Sequence, residues 1–150
     1  MIDHAGNFGI FCDERYTPGP GFKFINNTIL SPKSDGIRIY ADLVPMNVIV
    51  NNIIADPGSY TGYTYPRSPS DAFVYKLNAN VKLDMSHNYF TADSTALPTA
   101  GIFNAEYKLA LPCPVVDQGA DISVYSFKTD FYYKPRLKGA AYDIGAVEQN

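Results

Sequence analysis

With 150 residues, 46% of them hydrophobic, the chain is long enough for one domain with a sizeable core. A net charge of −3 and a pI near 5.2 exclude the basic surface that nucleic acid demands, and no apolar run is long enough to span a membrane. Charged residues make up only 18%, while aromatic residues reach 14% with 12 Tyr and no Trp, a composition that offers flat, half-polar surfaces.

Met1-Ile2-Asp3-His4 lacks the basic and apolar regions of a signal peptide, and residues 1–8 hold no capping helix. Gly9–Cys12 reads as the first strand. Asp13-Glu14-Arg15-Tyr16 leaves it, and Thr17-Pro18-Gly19-Pro20-Gly21 is a turn that no strand could contain. Phe22–Ile25 is the next strand, and it opens Phe24-Ile25-Asn26-Asn27-Thr28-Ile29. After a turn at Ser31–Gly36 the wording returns as Ile49-Val50-Asn51-Asn52-Ile53-Ile54, and again as Met85-Ser86-His87-Asn88-Tyr89-Phe90. A second phrase precedes each copy: Phe8-Gly9-Ile10-Phe11-Cys12, Gly36-Ile37-Arg38-Ile39-Tyr40 and Ala72-Phe73-Val74-Tyr75-Lys76.

Asn27 and Asn52 lie 25 residues apart, and Asn52 and Asn88 lie 36 apart. Two phrases in fixed order at such a period indicate a solenoid, each turn stacked on the last. The words are short, alternate with period two and are rich in Ile, Val, Phe and Tyr, so the solenoid is built of strands. Asn27, Asn52 and Asn88 should stack at one bend, where Asn tolerates left-handed backbone and its amide bonds to the copies above and below.

Residues 56–71 are the insertion that lengthens the second interval. Tyr60, Tyr63, Tyr65 and Arg67 sit there among Gly, Pro and Ser, as candidate substrate-binding residues on a projecting loop. Thr91–Gly101 is a further loop. A closing module follows over 101–150. It is expected to lay Val115-Val116, Ile122-Ser123-Val124 and Ile144 over the last coil and to cap it.

The chain resembles right-handed parallel β-helix proteins of the pectate-lyase-like type. The Asn-Asn-x-Ile coils carry the likeness. So does the end of the chain: Leu109 to Asp121 is similar to the "SPAIDAGAD" segment closing many bacterial β-helix proteins, and Thr129 to Arg136 with Gly139 to Glu148 to their "DFDGKPRP…YDIGAFE" ending. Cys113 stands where Ser is usual, and Tyr132-Tyr133 replaces the Asp-Gly turn. The resemblance implies an all-β fold, a short right-handed parallel β-helix of about three coils, with residues 1–100 as coils and 101–150 as cap. It also implies a carbohydrate-associated protein whose parent is extracellular or on the cell surface, this chain being a C-terminal fragment or minimal relative.

If Ile10, Cys12, Ile37, Ile39, Phe73 and Tyr75 face inward, then Phe11, Asp13, Arg38, Tyr40, Val74 and Lys76 face outward. Asp13, Tyr40 and Lys76 would share a column with Arg38 beside it. Lyases resembling this fold need a cation to neutralise a uronate and a base to take the neighbouring proton; Arg38, Lys76 and Tyr40 match those roles in type. Solvated charges on a sheet face look the same. His4 and His87 form no metal signature, and Asp117, Asp121 and Asp143 read as turn-formers rather than a calcium loop. No cofactor is implied. Cys12 reads as a small buried apolar residue, and a Cys12–Cys113 disulfide is not expected.

Three readings follow: a polysaccharide lyase or hydrolase, a non-catalytic carbohydrate-binding or cell-surface module, and a structural remnant of a larger enzyme. With no cap visible at the start, the first coil is also expected to pair with a second copy through residues 1–25.

Overall fold

The period-two words become strands of two to four residues. The computed structural model describes residues 1–17, 19–58, 69–93, 108–109 and 112–149. The strands are β1 (Ile2–Asp3), β2 (Ile10–Asp13), β3 (Lys23–Ile25), β4 (Thr28–Leu30), β5 (Ile37–Tyr40), β6 (Asn47–Val50), β7 (Ile53–Ala55), β8 (Val74–Lys76), β9 (Leu83–Ser86) and β10 (Tyr89–Thr91). Every third strand pairs in parallel. This gives sheet A in the order β1-β4-β7-β10, sheet B as β2-β5-β8 and sheet C as β3-β6-β9. The described chain is essentially all-β, with no α-helix, and its three parallel sheets are compatible with a parallel β-helix.

The sheets enclose a core of in-register columns. Ile2, Ile29, Ile54 and Phe90 are successive partners in sheet A; Ile10, Ile37 and Val74 are partners in sheet B. Phe24, Ile49 and Met85 follow in sheet C. Ile29, Ile37, Ile39, Ile49 and Ile54 are all fully buried, each worth about 1.5–3 kcal/mol of transfer free energy. Towards the two ends, the hydrophobic residues packed against this core are only partly buried, Ile2, Ile10, Phe22 and Phe24 at one end and Phe73, Leu83 and Phe90 at the other, and Met85 is 49% exposed.

The Asn pairs divide two tasks that the sequence assigns to one residue. The left-handed backbone falls on the first member, at Asn26, Asn51 and His87 with φ of 54°, 56° and 50°. The second member forms the ladder. Asn27 donates from its backbone and side-chain nitrogens to Asn52 Oδ1 at 3.0 and 2.9 Å, and Asn52 does the same to Asn88 Oδ1 at 2.9 and 3.0 Å. A further set of left-handed residues, His4, Ser31 and Asp56, ends β1, β4 and β7, and Ser31 Oγ donates to Asp56 Oδ2 at 3.0 Å.

The outer face of sheet A is apolar and is covered from the side. Leu30, Ile53 and Ala55 cluster with Leu109, Val115 and Ile144, with Tyr89, Cys113 and Val116 packed against them. Asn51 grips this segment reciprocally: its Nδ2 donates to the Ala120 carbonyl at 3.0 Å and its Oδ1 accepts from Ala120 N–H at 2.8 Å. Asn26 Nδ2 donates to the carbonyls of Asp143 and Gly145, both at 3.0 Å. Gly145, at φ 103°, donates its N–H to the Asn51 carbonyl at 2.8 Å. A Cβ there would come within 2.6 Å of Ile53 and 2.7 Å of Thr28, so the close approach requires glycine. Among the described residues, these contacts of the closing segment run along the flank of sheet A and the corner next to sheet C. Ile122 is buried, whereas Val124 is 81% exposed.

Candidate functional site

The outer face of sheet B carries the most concentrated chemistry. Its columns follow from register: Phe11, Arg38 and Tyr75 are successive partners, and Asp13 opposes Tyr40. The expected column of Asp13, Tyr40 and Lys76 does not form. β8 sits one residue out of the expected phase, so Val74 rather than Phe73 pairs with Ile37, and Lys76 pairs with the core residue Ile39. A one-residue slip exchanges the two faces of a strand. Lys76 therefore has inward parity at the end of the sheet and remains exposed, a position that blunts an edge.

Arg38 also differs from expectation. It lies on the outer face yet is only 1% exposed. Its Nε and Nη2 both reach Asp35 Oδ2, at 2.6 and 2.5 Å, and Asp35 is fully buried. The guanidinium carbon is 4.3 Å from the Phe8 ring centroid and 4.4 Å from that of Tyr75, within cation–π range on both. Such an arginine is neutralised and covered by rings. It organises aromatic residues rather than presenting a free cation to a uronate. It does meet Tyr40: Arg38 Nη1 donates to the Tyr40 hydroxyl at 3.4 Å. Of the three catalytic candidates, the structure thus brings Arg38 and Tyr40 together and leaves Lys76 out.

Around this pair lies an aromatic surface. Phe11 packs edge-on to Tyr40 with centroids 5.3 Å apart, and Tyr40 is 6.4 Å from Tyr75. Arg15 lies 4.8 Å from the Tyr40 centroid and is held by Asp13, whose carboxyl is pulled below its usual range chiefly by the Arg15 hydrogen bonds. Phe11 is 50% exposed and Tyr16 86%. The sequence singles out Arg38 and Tyr40 on this face but not Phe8, Asp35 or Tyr75. Asp35 precedes a Gly and reads as a turn residue, and Tyr75 is assigned to the opposite face. Tyr60, Tyr63, Tyr65 and Arg67 lie outside the described residues. The insertion that holds them leaves after β7 and rejoins the fold before β8, at the corner that leads into sheet B.

A second polar cluster ties down the end of the chain. Arg136 donates to the carbonyls of Gly145 and Ala146 at 3.0 and 3.1 Å, and its Nη1 lies 3.8 Å from Glu148 Oε2. Asp143 accepts from the backbone N–H of Asp117 and Gln149, and Asp130 from those of Tyr132, Lys134 and Glu148. Burial, with Asp143 close by, pushes the Glu148 carboxyl up to about 7, and burial raises Asp143 too. These carboxylates organise backbone turns. Between this segment and the first circuit lies an open cleft of about 240 Å³ lined by Asn26, Phe127, Phe131 and Arg136 among others.

Both thiols are free. Cys12 is buried beneath sheet B and its thiol is pushed up to about 12, mainly by burial. Because the thiolate is the reactive form, alkylation of Cys12 in the native protein is expected to be at least about 100-fold slower than in urea. Equal rates would contradict its placement. Compared with known proteins, the chain matches no protein-family model, no curated protein and no solved structure.

Proposed function

We propose that this chain is a carbohydrate-binding module, a short right-handed parallel β-helix of about three coils with a closing cap module, which takes a polysaccharide or oligosaccharide along the outer face of sheet B. The observation that carries the reading is the ring surface of Phe11, Tyr40 and Tyr75 braced from below by Arg38 and Asp35. Partly exposed aromatic rings suit the C–H faces of sugar rings, and Arg38 fixes two of them, stacking on Tyr75 and donating to the Tyr40 hydroxyl. Tyr60, Tyr63, Tyr65 and Arg67, on the insertion rooted beside this sheet, belong to the same proposed site. The setting is extracellular or at a cell surface, with this chain a minimal relative or C-terminal part of a polysaccharide-processing protein.

Glycan-array screening followed by calorimetry on the best ligand gives the test. Phe11→Ala and Tyr40→Ala should each weaken binding about 5- to 50-fold, the loss of one stacked ring at about 1–2 kcal/mol. Tyr63→Ala examines the insertion separately. Unchanged affinity in both Phe11→Ala and Tyr40→Ala would refute the face. A lyase reading has one observation in its favour, the contact between Arg38 and the Tyr40 hydroxyl. It requires release of unsaturated product from a uronate polymer, seen as ultraviolet absorbance and abolished by Tyr40→Phe.

The proposal extends to assembly. Ile2, Ile10, Phe22 and Phe24 remain partly exposed on the first circuit, and β1, β2 and β3 are edge strands of their sheets. A two-fold contact between two copies through residues 1–25 covers both features. Light scattering at micromolar concentration should give a dimer or larger species; a monomer would contradict it.

A further inference from the structure

Within the closing segment, residues 128–136 form a short antiparallel hairpin. Thr129 pairs with Pro135. Arg136 N–H donates to the Lys128 carbonyl at 3.0 Å, and Asp130 N–H donates to the Lys134 carbonyl at 2.8 Å. Alternate residues of such a ribbon point to opposite sides. On one side Asp130 and Arg136 are buried; on the other Phe127, Thr129, Phe131, Pro135 and Leu137 are all exposed. This inverts the usual order, in which charge faces water and rings face the core. The inward charges are fixed in place. Asp130 accepts from the backbone N–H of Tyr132, Lys134 and Glu148, and Arg136 donates to the carbonyls of Gly145 and Ala146. Turning the apolar side inward would break these bonds. At the tip, Tyr133 stands 87% exposed with φ 61°. A bulky residue at positive φ is a strained choice. Neither backbone nor burial favours tyrosine there, which points to a role outside the fold.

Charge identifies the partner. Lys128, Lys134 and Lys138 are exposed, whereas the acidic residues between 122 and 149, Asp130, Asp143 and Glu148, are all buried. The surface charge of this stretch is therefore positive, on a chain whose net charge is −3. Exposed rings, an exposed leucine and lysines on one hairpin match the boundary of an anionic bilayer. Phenyl and leucyl groups enter its apolar layer, a phenol rests at the head groups, and ammonium groups on long stems reach the phosphates. Each lysine near such a surface adds about fivefold in affinity. Carbohydrate is the poorer match, because Leu137 has no flat face to offer a sugar. A second copy is disfavoured, because a two-fold contact here would set lysines against lysines. Phe127 and Phe131 share their cleft with Met1, Ile25 and Asn26, none of them on sheet B. We propose that this hairpin docks the protein on an anionic phospholipid bilayer without spanning it, placing Phe131, Tyr133 and Leu137 among the head groups and Lys128 and Lys134 on the lipid phosphates.

The full chain should be sedimented with vesicles of phosphatidylcholine alone and with vesicles containing about 30% phosphatidylglycerol. Partition should be about tenfold or more stronger on the anionic vesicles at ~0.1 M salt, and weaker again at ~0.5 M salt. Phe131→Ser and Tyr133→Gly should each weaken it about fivefold or more. Glycine accepts the positive φ at 133, so Tyr133→Gly should melt no lower than the native chain. The double variant Lys128→Gln, Lys134→Gln should lose about tenfold or more. Phe11→Ala on sheet B should change nothing, so failure of the sugar face and failure of this hairpin are distinguishable. The chain has no Trp, so Tyr133→Trp sets a sole reporter at the tip, and its emission should move to shorter wavelength on anionic vesicles. The proposal is overturned by equal partition onto both vesicle types, by full partition of Phe131→Ser and Tyr133→Gly, or by unshifted emission. Retention on a uronate polymer but not on vesicles would also overturn it, as would a change of oligomeric state in these variants with partition unaltered.

Discussion

Asn52→Ala should destabilise the fold by about 3–5 kcal/mol, among the largest effects expected of any single truncation in this chain. Asn52 is fully buried in the middle of the Asn ladder. Its Nδ2 donates to the carbonyl of Phe24 at 2.8 Å, to that of Val50 at 3.0 Å and to Asn88 Oδ1 at 3.0 Å. Its Oδ1 accepts both nitrogens of Asn27. Truncation removes the amide and strands these partners inside the corner between sheets C and A, where water cannot replace it. At about 2–4 °C per kcal/mol for a chain of this size, the melting temperature should fall by roughly 10 °C or more. Asn27→Ala, at the edge of the ladder and with fewer partners, should cost about 1–2 kcal/mol. Thermal and urea unfolding of the two variants side by side make the check; equal and small losses would mean that the ladder does not carry the corner.

Arg136→Ala should cost about 3–5 kcal/mol at pH 8 and less at pH 5. The substitution leaves the carbonyls of Gly145 and Ala146 without their donor, and Glu148 without its cation beside Asp143. The pH dependence follows from Glu148, whose folded pKa is raised from 4.5 to about 7 by burial and by Asp143. Between those values the folded chain holds a proton on Glu148 that the unfolded chain releases, so the Glu148 contribution to stability is fully present below about 4.5 and is lost as pH rises through about 7. Asp143 is shifted in the same direction. In the native chain the Glu148 contribution is at most about 3 kcal/mol, and the loss of Arg136 should enlarge it by raising Glu148 further. Unfolding curves at pH 5 and pH 8 for native and variant proteins give the comparison. A variant as stable as the native chain at both values would show that Arg136 is not the anchor of the closing segment.

The β-solenoid character was legible because the Asn pairs recur with apolar residues on both sides, and a stacked corner needs that combination in every circuit. The ladder partners Asn27, Asn52 and Asn88 could be read directly. Which member takes the left-handed backbone could not, since Asn tolerates it at either place. Sheet B was misread by one residue at β8. Period two fixes a strand's phase only when one face is apolar and the other polar. Here both faces carry large rings or aliphatics, with Phe11, Arg38 and Tyr75 outside and Ile10, Ile37 and Val74 inside, and the insertion after Asp56 removes the constant spacing that would have set the phase. Arg38 was legible as a residue of interest but not as a buried one, because its cover comes from Phe8 and Tyr75 and its partner Asp35 reads as a turn residue. The flank position of the closing segment was likewise hidden: its anchors, Asn26, Thr28 and Asn51, look like ordinary turn and strand residues in sequence.

The face proposed to bind sugar exists only if β5 and β8 pair in the register that sets Tyr75 against Arg38. Interstrand backbone proton contacts in a nuclear Overhauser spectrum measure that register directly. Contacts are expected to join Ile37 with Val74, Arg38 with Tyr75 and Ile39 with Lys76. Contacts joining Ile37 with Phe73 and Arg38 with Val74 would turn Tyr75 inward, return Lys76 to the outer face beside Tyr40, and contradict it.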